Sequence, residues 1–168
     1  MAADGIWFAD LSAQRYKQMK LVMCAGDRRL DGFEHHDVRP LNGLNYVCDF
    51  YDIDKHAKNG SYEEVQLTHA LEHFPTKETQ KVLHVLRSLL CDGGKLYIEV
   101  PNFAWHASLV ASGRDRDAVY YAFGGQLDEY DFHKTGFTQK ILEEELAKAG
   151  FKNIQTENSS SLTTTCYK

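Results

Sequence analysis

The sequence predicts one α/β domain: an open, mostly parallel sheet with helices on both faces and an antiparallel strand pair at its C-terminal end. Short apolar runs of strand length alternate with segments of helical period. The last two β-rich runs are joined by Asn158-Ser159-Ser160-Ser161, a hairpin spacing that makes them antiparallel partners. The length, 168 residues, suits a single core and is short for two ordinary domains.

Lys20 to Ala25 is an apolar run ended by Gly26-Asp27, a buried strand followed by a turn. Glu34 to Val38 is a short second strand, stopped by Arg39-Pro40. Asn45 to Phe50 and Glu64 to Thr68 are the third and fourth. A helix capped by Thr76 is expected to run to about Cys91, because Val82, Val85, Leu86 and Leu89 recur at helical spacing; Gly93-Gly94 supplies the stop. Lys95 to Val100 is the fifth strand, closed by Pro101. A second helix covers about Gln139 to Ala149, with Thr138 as N-cap and Phe137 and Leu142 at the two positions of a hydrophobic staple. Phe151 to Glu157 and Leu162 to Tyr167 form the closing hairpin.

Composition narrows the function. Lys and Arg number 19 against 24 Asp and Glu, a formal charge of −5, so no basic face for tracking phosphates is expected and no nucleic-acid partner. The apolar runs are far shorter than the ~20 residues that span a bilayer, and the first twenty residues lack a signal-peptide profile. A cytoplasmic location with no membrane partner is therefore expected. Four cysteines stand far apart with no CxxC, and Cys24, Cys48 and Cys166 fall in strand-like runs, so they read as reduced, buried thiols.

In open α/β sheets, ligands sit beyond the carboxyl ends of the strands, near the switch in strand order. The residues there are Cys24-Ala25-Gly26-Asp27, Asp37, Asp49-Phe50 and His69-Ala70. A dinucleotide needs G-x-G-x-x-G so that backbone amides can approach its pyrophosphate. Cys24 to Arg29 holds a single glycine, and Asp27 would repel a phosphate. A nucleoside bearing a sulfonium and no phosphate suits these groups better. Asp37 can accept both ribose hydroxyls, Asp49 the adenine amino group, and Phe50 offers a ring face. Taken singly, Asp37 and Asp49 also read as plain loop carboxylates.

Four motifs extend this reading: Arg29-Leu30-Asp31-Gly32-Phe33, Asp37-Val38-Arg39-Pro40, Leu71-Glu72-His73-Phe74, and the segment from Gly124-Gly125-Gln126 through Asp128-Glu129-Tyr130-Asp131-Phe132-His133-Lys134 to Phe137. With them the chain resembles the class I S-adenosylmethionine-dependent methyltransferases, in particular a compact bacterial and phage-type subgroup, from Lys20 to about Ile154. The resemblance implies a Rossmann-like fold over one domain, 1–168. In it, 1–19 is a segment covering the cofactor and 102–137 an insertion forming the acceptor pocket. It implies S-adenosyl-L-methionine as cofactor, bound by Cys24, Ala25, Gly26, Asp37, Val38, Asp49, Phe50 and His69. The family's first motif carries a glycine where this chain has Cys24, whose side chain either crowds the cofactor or turns into the core.

Methyl transfer is an in-line displacement that draws on proximity in a dry site and needs a base only for a protonated acceptor. The catalytic candidates are His69, at the cofactor edge, His133, a base or proton relay held by Asp131 or Glu129, and with it Asp131. Asn102, Trp105, His106, Tyr130 and His133 are expected to line the acceptor pocket. His73 is expected to orient a loop or cap the following helix. Asp128, Asp131, His133 and nearby histidines could bind a metal, but no HExxH or i,i+4 His pair lies with them, and none is expected. The expected acceptor is a small molecule or saccharide, in a pocket of one chain or one completed by a second subunit in a homodimer. The alternative is a degenerate S-adenosylmethionine-binding module without efficient transfer. A nicotinamide-dependent oxidoreductase is disfavoured by the missing glycines.

Overall fold

A computed structural model describes residues 19–168. Seven strands form one sheet in the order β3-β2-β1-β4-β5-β7-β6. They are β1 (Met19–Met23), β2 (Glu34–Asp37), β3 (Tyr46–Val47), β4 (Tyr62–Thr68), β5 (Leu90–Pro101), β6 (Lys152–Asn158) and β7 (Ser161–Tyr167). The first five are parallel, while β7 runs antiparallel to both β5 and β6. Strand order reverses between β1 and β4, which opens a crevice at the carboxyl ends of β1, β2 and β4.

Strand alternation sorts side chains onto two faces. Leu21 and Met23, Val65 and Leu67, and Leu96, Ile98 and Val100 enter one core with Leu162 and Cys166. Helices α1 (Thr79–Leu89) and α4 (Gln139–Lys148) bury Val82, Leu83, Leu86, Leu89, Leu142 and Leu146 in that same core, on one face of the sheet. The intervening residues make a polar ladder. Lys95 pairs with Glu64 at 3.0 Å, Gln66 donates to Glu64 at 2.7 Å, and Arg28 donates to Thr68 and Gln66 at 2.7 and 3.0 Å. The cover segment expected at 1–19 lies outside the described residues, apart from Met19 in β1.

Several boundaries differ from the sequence expectation, each for a local reason. The helix expected from Thr76 begins only at Thr79, because Thr76–Glu78 is a 3₁₀ turn entered through Pro75. Thr76 does not cap it; its hydroxyl meets the Thr135 hydroxyl at 3.0 Å. The helix ends at Leu89 without a glycine stop, and Leu90 starts β5 directly. Gly94 instead lies within that strand, where an added Cβ would stand 2.9 Å from the Cys91 carbonyl and 3.0 Å from that of Tyr62. Glycine there permits close backbone approach where the β4–β5 register shifts.

The third strand is only two residues long, since Asp49 caps a 3₁₀ helix over Phe50–Lys55 by accepting from the Tyr51 amide at 2.8 Å. Cys24 and Cys48 therefore stand just past β1 and β3 rather than inside them; all four thiols are free. The segment 102–137 contains two helices that the sequence reading left unassigned, α2 (Phe103–Ala111) and α3 (Asp115–Phe123). The second helix and its staple stand as expected: Thr138 caps α4, accepting from the Ile141 amide, and Phe137 and Leu142 are both buried. No helix among the described residues is long and apolar enough to cross a membrane.

Candidate functional site

A cleft of about 710 Å³ opens at the switch in strand order. Cys24, Ala25, Gly26, Asp37, Val38, Asp49, Phe50 and His69 all line it, so every residue assigned to cofactor binding faces one cavity. The opposite wall comes from Leu127, Asp128, Tyr130, Asp131 and Lys134.

Asp37 ends β2 and is the best-held group of the first wall, with 3% of its surface exposed. Its Oδ2 accepts from the Gly26 amide at 2.8 Å, and its Oδ1 from the amide and the Nε of Arg39, both at 3.0 Å. Burial alone would raise its pKa, but the Arg39 guanidinium and the two amides win and hold the carboxyl below its ordinary value. Arg39 also reaches across the cleft, with Nη1 3.6 Å from Asp128. The sequence reading took Arg39 only as a strand stop and missed this bridge; a cation two residues beyond a strand-end carboxylate was the available signal.

Cys24 adopts φ +51°, in the left-handed region that glycine enters freely and other residues at a cost. Its side chain packs against the hydrophobic core at the edge of the cleft, and burial, with Asp37 nearby, pushes the thiol pKa up. The preceding strand is locked by His36, whose Nδ1 accepts from the Cys24 amide at 3.4 Å while Nε2 donates to the Cys48 carbonyl at 3.0 Å. Burial lowers the His36 pKa and keeps the ring neutral. Phe50 packs edge-on against Tyr51 and Phe74, which makes an aromatic corner beside Asp49.

His69 lies at the end of β4 with φ +48°. Its Nδ1 is 3.6 Å from Glu72, and its Nε2 is 3.2 Å from Glu99. These carboxylates, Glu72 first, raise its pKa against the effect of burial. Glu99, placed in strand β5, thus finds its partners in His69 and in the Tyr97 hydroxyl at 3.2 Å.

The other catalytic and acceptor candidates are not brought together as expected. His133 does not line the cleft; it borders a small cavity behind it with Glu72, His106 and Tyr121. Neither Asp131 nor Glu129 holds it. Its Nδ1 donates to the Tyr121 carbonyl at 2.9 Å, and its Nε2 lies 3.9 Å from Glu72. Asp131 faces the cleft and organises its own loop, accepting from the Leu127 amide at 3.2 Å. Tyr130 lines the cleft.

Asn102, Trp105 and His106 are outside the cleft lining. Asn102 is buried as the cap of α2 and donates to Asn158 and to the Ser159 carbonyl, each at 2.7 Å. Trp105 is on the outer side of α2, edge-on to His106. His106 is buried, stacks on Tyr121 at 4.1 Å, and has its pKa lowered by burial. His73 does orient a loop: its Nδ1 donates to the Phe132 carbonyl at 3.2 Å, and burial lowers its pKa. Glu72, which sequence reasoning treated only as part of a motif, is the buried acid around which His69, His73 and His133 gather.

No family model matches the chain, and no curated protein does. Solved structures are similar. An S-adenosylmethionine-dependent methyltransferase from Archaeoglobus fulgidus shares 14% identity over 95% of this chain and 91% of its own, with a TM-score of 0.66. The 1,6-didemethyltoxoflavin-N1-methyltransferase of Burkholderia thailandensis, solved with bound 1,6-didemethyltoxoflavin and S-adenosylhomocysteine, shares 15% over 95% and 75%, with a TM-score of 0.62. An S-adenosylmethionine-dependent methyltransferase from Mesorhizobium loti shares 14% over 96% and 97%, with a TM-score of 0.57. At these identities the likeness is one of fold: the chain has the Rossmann-like fold of the class I methyltransferases.

Proposed function

We propose that the chain transfers a methyl group from S-adenosyl-L-methionine to a small-molecule or saccharide acceptor. The observation that carries this reading is the buried carboxylate of Asp37 at the end of β2, oriented by the Gly26 amide in a cleft whose described lining holds one glycine. A carboxylate there accepts the hydroxyls of a ribose, and the turn from Cys24 to Arg29 offers a pyrophosphate one glycine in place of the three it needs.

The residues present fit the cofactor with one adjustment. Asp37 Oδ1 is filled by Arg39, and Oδ2 receives Gly26 and the more distant Arg39 Nη2, at 3.4 Å. Arg39 has to swing off Asp37 to admit both ribose hydroxyls, and Asp128 across the cleft is there to take it. Asp49 receives the adenine amino group beside Phe50. Bound in this way, the cofactor supplies an electrophilic methyl on a sulfonium.

The chain's own part is alignment and exclusion of water. Tyr130 and Leu127 narrow the outer wall, and His69, spanned by Glu72 and Glu99, orients the acceptor at the end of β4. Asp131, one of the carboxylates lining the cleft on its loop side, takes the acceptor's proton where there is one to lose. His133, behind the wall, is left a supporting role. The insertion's modest size and the acidic charge favour a small acceptor over a nucleic acid.

The capture of Asp37 by Arg39 and the strained Cys24 favour a second reading, a module that binds the nucleoside without efficient transfer. Incubation with methyl-labelled S-adenosylmethionine and panels of small hydroxylated and amino compounds and saccharides separates the two. Label in an acceptor, with S-adenosylhomocysteine formed in equal amount, supports the enzyme. Binding of both nucleosides with no label transferred to any acceptor class supports the module.

A further inference from the structure

Glu72, His73 and His133 converge in the wall between the large cleft and the small cavity behind it. Each offers one donor atom to the same spot, and the three atoms lie within 4.8 Å of one another. His73 Nε2 and His133 Nε2 stand 4.0 and 3.9 Å from Glu72 Oε1, too far for hydrogen bonds.

The second nitrogen of each ring is already committed. His73 Nδ1 donates to the Phe132 carbonyl and His133 Nδ1 to the Tyr121 carbonyl, at 3.2 and 2.9 Å. A carbonyl only accepts, so each neutral ring carries its proton on Nδ1 and presents the bare Nε2 to the carboxylate. Backbone carbonyls holding the far side of a ring are the outer shell that metal-ligating histidines use. Glu72 sharpens the point: it is 2% exposed, and neither of its oxygens has a hydrogen-bond partner. Glu72 and the two bare ring nitrogens offer one another no donor, and His69 Nδ1 at 3.6 Å lies beyond hydrogen-bond distance, an arrangement better suited to surrounding a cation than to burying a carboxylate. The cage is also held in place, because the Lys134 and Thr135 amides donate to the Glu72 carbonyl at 2.7 and 3.1 Å.

We propose that Glu72, His73 and His133 form a site for a divalent transition-metal ion of the zinc class, bound by one carboxylate and two imidazole Nε2 atoms. Two nitrogens and one oxygen suit zinc and its first-row neighbours and do not suit calcium or magnesium. Moving each donor inward by roughly half an ångström reaches ordinary zinc–ligand lengths of about 2.0–2.2 Å. Three protein ligands would leave such an ion with open coordination, and His69 Nδ1, 3.6 Å from Glu72, is a further nitrogen close by. The competing arrangement needs no metal: a protonated His69 pairs with Glu72 and satisfies it alone.

Metal alone tests the site, so the outcome does not depend on methyl transfer. The full chain is stripped with chelator and titrated with Zn²⁺ by calorimetry and with Co²⁺ by visible absorption. A single equivalent should bind, with Co²⁺ showing ligand-field bands, and Zn²⁺ should raise the melting temperature. Glu72→Gln and His133→Gln should each weaken binding at least ~100-fold, beyond the loss typical of outer-shell changes, and abolish the Zn²⁺-induced rise in melting temperature. His84→Gln, at an exposed histidine on α1, should change neither. His133→Gln also covers the case in which Glu72→Gln does not fold, since its side chain keeps 14% of its surface exposed against 2% for Glu72. No bound equivalent in the parent chain overturns the proposal, as does binding that survives in both site variants.

Discussion

The two walls of the cleft hold their carboxylates differently. On the strand side, Asp37 is fixed by amides of Gly26 and Arg39, and His36 ties the end of β1 to the turn after β3 through backbone groups on both ring nitrogens. On the loop side, Asp128 and Asp131 hold turns within 124–131, and the exposed Leu127 and Tyr130 complete the surface. The strand side is a buried, preorganised anion aimed at the cavity. The loop side is a set of partly exposed side chains whose geometry follows from Gly124 and Gly125. Recognition of an invariant ligand portion belongs on the first wall, and adaptation to a variable acceptor on the second.

The largest effect that would break this division is at Asp37. Asp37→Ala should lower affinity for S-adenosylmethionine at least ~100-fold, the worth of two charge-assisted hydrogen bonds, with the circular dichroism of the fold retained. Unchanged affinity by calorimetry would remove the strand wall from cofactor binding.

On the loop wall, Gly124→Ala should destabilise by about 2 kcal/mol. It has φ +79°, and an added Cβ would stand 2.5 Å from the Asp131 carbonyl. Gly32→Ala is the control, at the same φ but with nothing within 4 Å of its Cβ, and should cost about 1 kcal/mol or less. Equal losses on thermal denaturation would mean that the contact with Asp131 does not set the loop.

The strand wall should also respond to pH. His36 is buried neutral with its pKa lowered, so the unfolded chain binds a proton that the folded one refuses. Its contribution is complete above about pH 6.5, the ordinary histidine value, and is lost as pH falls below it. His36→Gln should flatten the decline of melting temperature between pH 7 and pH 5, even though it lowers stability overall. An unaltered slope would place the pH dependence elsewhere.

The smallest effect concerns the bridge between the walls. Arg39→Met removes the exposed contact to Asp128, worth less than ~1 kcal/mol, together with the ion pair to the buried Asp37 carboxylate. It should raise cofactor affinity by a few-fold by freeing Asp37. A loss of affinity would make Arg39 part of the binding site rather than its competitor.

The strand wall was legible in the sequence because its short strands end at recognisable stops, Arg39-Pro40 just past Asp37 and Asp49 after the run through Cys48, and all of the residues assigned to it line the cleft. Helices α2 and α3 were not legible. They expose Phe103, Trp105, Val110, Val119, Tyr120 and Phe123, so their apolar residues do not mark a buried face with helical period. That is also why Asn102, Trp105 and His106 were expected in the pocket, whereas Asn102 caps a helix and His106 stacks on Tyr121. The cluster around Glu72 was hidden for another reason: His73 and His133 are sixty residues apart and meet where the Lys134 and Thr135 amides bind the Glu72 carbonyl and His73 holds the Phe132 carbonyl.

Calorimetric titration of the parent chain with S-adenosylmethionine, S-adenosylhomocysteine and NAD tests the central claim most directly. Binding of both sulfur nucleosides with no heat from NAD is the predicted result. Binding of NAD, or of none of the three, would contradict the assignment of the cleft.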